Sequence, residues 1–330
     1  MPEREKKPPL TVVTAQALLD MELPEQELIL DPWLKSQGLT MIHAWRGVGK
    51  TYVGLGCACA IATGGSFLGW TAEVPKRCVY VDGELPAITM QERLIYTLGA
   101  MNGSKMPDPG YFRIITPDLQ ERAMPNLSDP FAQKELSNAL KEVDVVFLDN
   151  ISTLFRGGRE NEAEGWLPAQ EYALLLRRSG ISVVFIHHSG KAGSQRGTSR
   201  REDILDTVIG LRRPNNYNAS EGARFEVHYE KARGLYGEQV EPFEAKLEVR
   251  DNIAIWTTME LRESGMRAVM DLYAQGMEQT DIAKKLKIST ATVSRRLKDA
   301  RHRGLLELDD ADLVTENDDL LSDKEIPEGF

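Results

Sequence analysis

Short apolar runs alternate with helical stretches between residues 27 and 260, and this alternation is the clearest pattern in the chain. It predicts an α/β fold in which helices cover both faces of a mostly parallel central sheet. The predicted strands are Leu39–His43, Cys78–Val81, Tyr111–Ile115, Val143–Leu148 and Ile181–Ile186, and the predicted helices are Thr51–Ala62, Ala87–Leu98, Phe131–Lys141 and Trp166–Arg178. Three later strands are expected to be partly antiparallel, namely Asp206–Leu211, Arg224–Lys231 and Glu244–Trp256.

The pattern changes on both sides of this core. Residues 1–26 are charged and contain proline, with one apolar stretch from Val12 to Leu19, which predicts an arm with one helix. Residues 262–308 carry the apolar stripes of three short helices and form a small module of their own. Residues 309–330 are acidic with few large apolar side chains, so this tail is predicted to be disordered.

The composition of the chain indicates where the protein is located and how its charge is distributed. No apolar run in the 330 residues approaches the roughly 18 that a membrane helix needs, and no basic leader precedes an apolar segment, so we expect a cytoplasmic protein. Cys57 and Cys59 are interpreted as core residues on a helix. The net charge is −10, but residues 262–308 hold ten Lys and Arg against six acids, while the tail holds one lysine against nine. A basic module is therefore hidden beside an acidic tail, which favours a nucleic-acid partner for the module.

The segment between the first predicted strand and the first predicted helix has the pattern of a phosphate-binding loop. It consists of Ala44, Trp45, Arg46, Gly47, Val48, Gly49, Lys50 and Thr51. Glycines let backbone N–H groups turn toward phosphate oxygens, the lysine supplies a point charge, and the threonine hydroxyl can ligate Mg²⁺. Ala44 stands where the usual pattern has its first glycine, and a small residue is expected to be tolerated there. The sequence therefore predicts a nucleotide hydrolase, with a glycine-rich turn before a core helix as the alternative.

Two carboxylates follow predicted strands at the edge of the sheet where ligands bind in open α/β folds. Asp149 ends the apolar run that begins at Val143, and we expect it to hold Mg²⁺ together with Thr51. Glu84 follows the strand Cys78–Val81, where a carboxylate can orient and deprotonate the water that attacks the γ-phosphate. An ordinary solvated loop acid is the alternative interpretation of Glu84.

Paired histidines and a basic loop follow a further strand. His187 and His188 end the apolar run Val183–Ile186, and one of them is predicted to contact the γ-phosphate. Lys191, Arg196, Arg200 and Arg201 follow among glycines and serines, a composition that suits contact with phosphate or single-stranded DNA. A solvated surface loop remains the alternative.

Lys231 and Arg233 follow the strand Phe225–Tyr229 at alternate positions, so they are expected to point to one side, with Glu230 as their only nearby acid. Such a pair can serve as an arginine finger that reaches a neighbouring subunit's site. Ordinary surface charges are the alternative.

The third helix of the C-terminal module carries candidate DNA contacts. Ser289 is predicted to cap this helix, and Thr292, Arg295 and Lys298 fall opposite its apolar stripe, where they would meet base edges or phosphates. A helical module that docks onto a protein is the alternative.

Together these features resemble the RecA-like, DnaB-class ring ATPases, and in particular the plasmid RepA-type hexameric helicases, over about residues 27–256. The resemblance implies a RecA-like P-loop NTPase fold, ATP and Mg²⁺ as cofactors, DNA as partner and a homohexamer. It assigns Lys50 and Thr51 to the phosphate loop, Glu84 as catalytic glutamate, Asp149 as metal ligand, and His187 and His188 before a basic loop. It also implies an arginine finger, which is Lys231 with Arg233 in the DnaB-class pattern and Arg196 in the RepA-type pattern.

The C-terminal module resembles a winged helix-turn-helix whose wing starts at Leu305 to Leu308. Two functions follow from this combination. The first is a replicative-type helicase or translocase of a plasmid, phage or integrative element. The second is an ATP-regulated oligomeric DNA-binding regulator that does not unwind DNA.

Overall fold

The computed structural model describes residues 10–100, 106–157, 163–189, 203–250 and 253–306. Its first half contains, in chain order, α1 (Ala15–Leu19), β1 (Leu28–Leu30), β2 (Leu34–Lys35), β3 (Leu39–Ala44), α2 (Lys50–Thr63), β4 (Ser66–Phe67), β5 (Trp70–Thr71), β6 (Cys78–Asp82), α3 (Ala87–Gly99), β7 (Phe112–Ile115), α4 (Pro130–Ala139) and β8 (Val145–Asp149). The remaining elements are α5 (Ile151–Leu154), α6 (Ala163–Arg178), β9 (Ser182–His188), β10 (Thr207–Arg212), β11 (Arg224–Ala232), β12 (Phe243–Arg250), β13 (Ile253–Glu260), α7 (Leu261–Ala274), α8 (Gln279–Leu286) and α9 (Thr290–His302).

One large mixed sheet organises the core. Within the described residues its nine strands lie in the order β13-β12-β11-β10-β3-β9-β8-β6-β7. The six strands from β10 to β7 are parallel, whereas β11, β12 and β13 pair antiparallel. The prediction of a mostly parallel sheet with partly antiparallel late strands is therefore confirmed.

The prediction of a single strand over Glu244–Trp256 is wrong. This stretch contributes to two strands, β12 and β13, which form an antiparallel pair with Leu247 opposite Trp256. The turn signal between them in the sequence is only Asp251-Asn252, without the glycine or proline that marks most turns. The alternation of apolar residues over 244–256 therefore predicts one long strand where the structure has two.

Helices cover both faces of the sheet and divide the core into two layers. One layer packs α2 and the inner residues of β1, β2, β4 and β5 against the sheet, and the other packs α4, α5 and α6 against the opposite face. Cys57 and Cys59 are fully buried in the first layer, as predicted. Gly54 brings α2 close to the central sheet, because a Cβ there would lie 2.8 Å from the Tyr80 hydroxyl. Gly56 brings α2 close to β4, because a Cβ there would overlap the Phe67 ring.

Two short hairpins were not predicted. β1 pairs with β2 and β4 pairs with β5, each antiparallel. Their strands have only two or three residues, too few to show an alternating pattern in the sequence. They cover the end of the first core layer, where Trp33 and Trp70 meet edge to face with ring centroids 5.3 Å apart.

The three C-terminal helices share a small apolar core of their own, with Val269, Ile282, Val293 and Leu297 among its buried members. Ser289 caps α9 as predicted, since its hydroxyl accepts a hydrogen bond from the backbone N–H of Thr292 at 3.1 Å. A wing strand that starts at Leu305 is not observed within the described residues, because Leu305 and Leu306 form a bend. Residues 307 and 308 lie outside the described part of the chain, as does the acidic tail.

The described part of the N-terminal arm makes a short helix, α1, in which no residue is buried. All residues from 10 to 28 are exposed. None of the helices described has both the length and the apolar character needed to cross a membrane.

Candidate functional site

The carboxyl ends of β3, β6, β8 and β9 meet at one edge of the sheet, and the predicted phosphate loop lies there between β3 and α2. Gly47 and Gly49 adopt φ angles of 75° and 129°, which side-chain-bearing residues rarely adopt, so glycine is required at both positions. Ala44 is the buried last residue of β3 and pairs in register with His188. It is not among the residues with positive φ, which explains why alanine is tolerated there.

Lys50 begins α2 and is 5% exposed. Its ammonium group donates hydrogen bonds to the backbone carbonyls of Ala44 at 3.2 Å and Trp45 at 3.3 Å. Burial lowers the pKa of Lys50 to about 8, although the nearby carboxylates of Asp149 and Glu84 raise it. The side chain is thus desolvated and tied to its own loop, and an anionic phosphate would stabilise its charge.

Thr51 and Asp149 come together as predicted. The Thr51 hydroxyl donates a hydrogen bond to Asp149 Oδ2 at 3.0 Å, and the buried Tyr80 hydroxyl donates to the same oxygen at 2.7 Å. Burial raises the pKa of Asp149, while the two hydroxyl donors lower it. Tyr80 was not predicted as a site residue, and its only signal is a tyrosine within the apolar strand that precedes Glu84.

The oxygens of Thr51 and Asp149 fit a magnesium ion. Both are hard donors, and Mg²⁺ in nucleotide sites is held by one or two protein oxygens together with phosphates and water. Among the described residues no group of three or more His, Cys, Asp or Glu side chains forms a larger metal site. The donor set therefore suits a metal that arrives with a nucleotide.

Glu84 follows β6 and, together with the phosphate loop, lines a cavity of about 300 Å³. The residues lining this cavity are Arg46, Gly47, Val48, Gly49, Lys50, Thr51, Tyr52, Asp82, Glu84, Leu85, Arg93, Asp149, His188 and Ala223. The phosphate loop, the two predicted metal ligands and the predicted catalytic glutamate thus border one space, which has the concave form of a small-molecule site.

Asp82 is a third carboxylate in the cavity, beside Asp149 and Glu84, and it was not predicted as a site residue. It is 1% exposed, and burial, with the charges of Asp149 and Glu84 adding to it, raises its pKa to about 7 despite hydrogen bonds from the backbone. One of those bonds comes from the Leu85 N–H at 2.8 Å, and it fixes the turn that carries Glu84. The signal was an acid two residues before Glu84 on the same strand.

Arg93 on α3 is a further unpredicted residue of the cavity. Its guanidinium lies 5.4 Å from the centroid of the Tyr52 ring, a distance that allows a cation–π contact. Its signal in the sequence is that it is the only basic residue of α3.

The two histidines differ in position. His188 lines the cavity and its Nε2 lies 3.6 Å from Glu84 Oε2. Burial and the charge of Lys50 lower the pKa of His188, whereas Glu84 raises it. His187 is buried one residue earlier on β9, opposite His43 in register, and does not line the described cavity. His188 is therefore the histidine that the structure brings to the phosphate loop.

Lys231 and Arg233 do not lie at this edge of the sheet. β11 runs antiparallel to β10, so its end pairs with the beginning of β10, and Ala232 lies opposite Thr207. Arg233 forms an ion pair with Asp206 at 3.5 Å and donates to the Asp203 carbonyl at 2.8 Å. The expectation that Glu230 is the only nearby acid is wrong, because these partners come from a distant segment of the sequence.

Glu230 itself has other neighbours. It accepts a hydrogen bond from Arg212 at 2.9 Å and lies 2.8 Å from His43 Nε2. A finger role for Lys231 and Arg233 in a neighbouring subunit stays a prediction. The basic residues Lys191, Arg196, Arg200 and Arg201 lie outside the described residues.

The C-terminal helices present a basic concave surface. Arg295 and Lys298 are exposed on α9 and, with Arg262, Arg296 and His302, line a depression of about 620 Å³ between α7 and α9. Thr292 is half-buried, and its hydroxyl lies 2.8 Å from that of the cap residue Ser289. Arg262 forms an ion pair with Asp299 at 3.0 Å, so part of the positive charge is neutralised locally.

Comparison with known proteins gives a family and a similar solved structure. A family model described as an AAA domain matches residues 2–194, more than half of the chain. No curated protein matches this chain. Among solved structures, the crystal structure of a KaiC-like protein from the hyperthermophilic archaeon Pyrococcus horikoshii OT3 is similar, with 14% sequence identity, coverage of 69% of this chain and 93% of that chain, and a TM-score of 0.47. The family match spans the phosphate loop, Glu84, Asp149 and both histidines.

Proposed function

We propose that this chain, which belongs to the AAA domain family, is a Mg²⁺-dependent ATP hydrolase that forms rings and acts on DNA. Its role would be that of a replicative-type helicase or translocase of a plasmid, phage or integrative element. The observation that carries the hydrolase assignment is the single cavity shared by Lys50, Thr51, Asp149 and Glu84.

Each residue of the cavity would have its own role in the transfer of the γ-phosphoryl group to water. Backbone N–H groups of the loop and the ammonium of Lys50 would bind the β- and γ-phosphates, and Thr51 with Asp149 would hold Mg²⁺. Bound Mg²⁺ would neutralise charge on the phosphate oxygens. Glu84 would orient the attacking water and accept its proton, a contribution typically of about 10² to 10⁴ in rate. His188, at the same edge, would contact the γ-phosphate.

The proposal that the protein acts on DNA is supported by the C-terminal module. Arg295 and Lys298 on α9, together with the basic depression beside them, are suited to phosphate contacts from a duplex. The ring assignment depends on the resemblance to hexameric helicases, in which a neighbour supplies a cation to each site. Size-exclusion chromatography with light scattering, with and without an ATP analogue and single-stranded DNA, tests it, and a mass of six chains is expected.

Fork unwinding tests the motor function. Wild-type protein with ATP and Mg²⁺ is expected to separate a forked duplex, and Lys50→Ala and Glu84→Gln are expected to abolish separation. Lys134→Ala and Glu92→Gln are matched controls, because both side chains are exposed and neither of them lines the cavity. Unwinding that survives Glu84→Gln would contradict the proposed site.

A second candidate function is an ATP-regulated oligomeric regulator that binds DNA without unwinding it. The helix α9, which Ser289 caps, lies beside the basic depression and favours this second function. The C-terminal module that contains both is suited to binding a DNA duplex without the rest of the chain. The regulator predicts sequence-selective footprints and no strand separation. A flat footprint on random and selected duplexes would count against it.

If Arg196 or Arg233 acts across a subunit interface, mixing an Arg→Ala chain with a Lys50→Ala chain should restore part of the hydrolysis. No rescue at any mixing ratio would argue against both residues as fingers.

A further inference from the structure

Asn150 is a buried residue beside the cavity to which the proposed mechanism gives no role in binding phosphate or metal. It directly follows Asp149 at the end of β8 and is 2% exposed. Its side-chain amide lies between Glu84 and His188, with Nδ2 at 2.6 Å from Glu84 Oε2 and at 3.2 Å from His188 Nε2. One buried amide thus contacts both the proposed base and the histidine of the cavity.

The hydrogen bond at the side-chain oxygen of Asn150 determines the orientation of this amide. Asn150 Oδ1 accepts a hydrogen bond from the backbone N–H of Thr153 at 3.2 Å. A backbone N–H can only donate, so the oxygen must face Thr153 and the NH₂ group must face Glu84 and His188. Its two hydrogens then match the two acceptors that lie there, the carboxylate and the imidazole.

This arrangement also determines the protonation of His188. If Asn150 Nδ2 donates to His188 Nε2, that nitrogen carries no proton, and the neutral imidazole holds its proton on Nδ1. Nδ1 is buried and has no hydrogen-bond partner within the described residues. Its N–H is therefore available to an acceptor that the described residues do not supply.

We infer that Asn150 is a positioning residue for hydrolysis, which bridges Glu84 and His188 and fixes the carboxylate and the imidazole tautomer relative to the phosphate loop. The inference rests on the proposed ATP hydrolase function. With Oε2 of Glu84 held by the amide, Oε1 is left to accept the proton of the attacking water. With Nε2 of His188 held, the imidazole can only donate from Nδ1.

A purely structural role is the competing explanation, because Asn150 also caps α5. Serine is about as good a cap as asparagine, but its shorter side chain does not reach Glu84 or His188. Asn150→Ser therefore keeps the cap and removes the bridge. Thr153→Ala is the converse control, since it removes the Thr153 hydroxyl from the capping box and leaves the Nδ2 contacts in place.

The first readout separates kcat from KM in steady-state ATP hydrolysis. Asn150→Ser is expected to lower kcat by about 10- to 100-fold, within the range of a misplaced general base, with the KM for ATP changed less than about twofold because the phosphate loop is untouched. Thr153→Ala is expected to keep kcat within about twofold of wild type. Thermal unfolding of each variant shows whether the fold is retained.

The second readout is the ¹H–¹⁵N spectrum of the histidine rings, of which the chain has five. His188, assigned from the resonances that disappear in His188→Gln, is expected to show the Nδ1–H tautomer in wild type and a mixture of tautomers in Asn150→Ser. A kcat for Asn150→Ser within twofold of wild type, or an unchanged tautomer, would overturn the inference. If wild-type protein hydrolyses no ATP, the proposed function fails, and the tautomer measurement still decides whether Asn150 holds His188.

Discussion

Replacing Asp82 by asparagine is expected to change how stability depends on pH. Asp82 is buried beside Asp149 and Glu84, and its folded-state pKa is about 7 against an ordinary value of 3.8. The folded chain therefore keeps this proton over a pH range in which the unfolded chain has lost it. The contribution of Asp82 to stability must then fall as the pH rises from about 4 to about 7, because at this residue the folded state binds more protons than the unfolded state.

The magnitude follows from the same pKa difference. Each unit of pKa is worth about 1.4 kcal/mol, so a difference of about three units corresponds to about 4 kcal/mol lost between the two pH values. An asparagine at this position would be neutral at every pH, and its side-chain oxygen can still accept the hydrogen bond from the Leu85 N–H. Asp82→Asn should therefore resemble wild type near pH 4 and exceed it in stability by up to about 4 kcal/mol near pH 8.

Urea unfolding of nucleotide-free protein at several pH values from about 4.5 to about 8 measures this difference. The free energies of unfolding of wild type and Asp82→Asn are expected to diverge as the pH rises. Glu92→Gln, at an exposed position on α3, provides the control and should follow wild type throughout. Parallel curves for Asp82→Asn and wild type would refute the reasoning, because they would mean that Asp82 is ionised in both states over this range.

Three further predictions concern other residues of the site and the module. Tyr80→Phe removes a buried hydroxyl that donates a hydrogen bond to Asp149 at 2.7 Å. Because this bond is to a charged group, the substitution should lower the free energy of unfolding by about 1.5 to 3 kcal/mol in urea titrations at about pH 8. A decrease below about 0.5 kcal/mol would contradict that bond. Arg93→Ala should reduce kcat for ATP hydrolysis by at least about tenfold, because it removes a guanidinium that lines the cavity, and a kcat equal to that of wild type would exclude a role for this cation. The double variant Arg295→Ala, Lys298→Ala should reduce the log-log salt dependence of duplex binding by about 0.9 for each phosphate that the protein no longer neutralises, whereas an unchanged slope in filter-binding assays would place the DNA elsewhere.

The parallel part of the sheet could be predicted from the sequence because its signals are local. Buried parallel strands are continuous apolar runs, and the phosphate loop has a nearly complete pattern between one such run and a helix, so Lys50, Thr51 and Glu84 could be placed by counting along the chain. The hairpin of β12 and β13 could not be predicted in the same way, because Asp251-Asn252 gives a weaker turn signal than glycine or proline.

Two unpredicted site residues, Tyr80 and Asn150, depend on contacts between distant segments. Tyr80 matters because β6 and β8 are neighbours, and Asn150 matters because β8 lies between the strands that carry Glu84 and His188. Arg233 was expected to lack an acid partner other than Glu230, but the antiparallel pairing of β10 and β11 brings it to Asp206. The order of the strands in the sheet determines the contacts of Tyr80, Asn150 and Arg233. The local pattern of apolar residues does not predict that order.

The rate of ATP hydrolysis with and without DNA tests the central claim most directly. Wild-type protein with Mg²⁺ is expected to hydrolyse ATP, to be stimulated by DNA, and to lose at least about 10²-fold in kcat on Glu84→Gln but not on Glu92→Gln. Hydrolysis by wild type that is unaffected by DNA, or that persists in Glu84→Gln, would contradict the account.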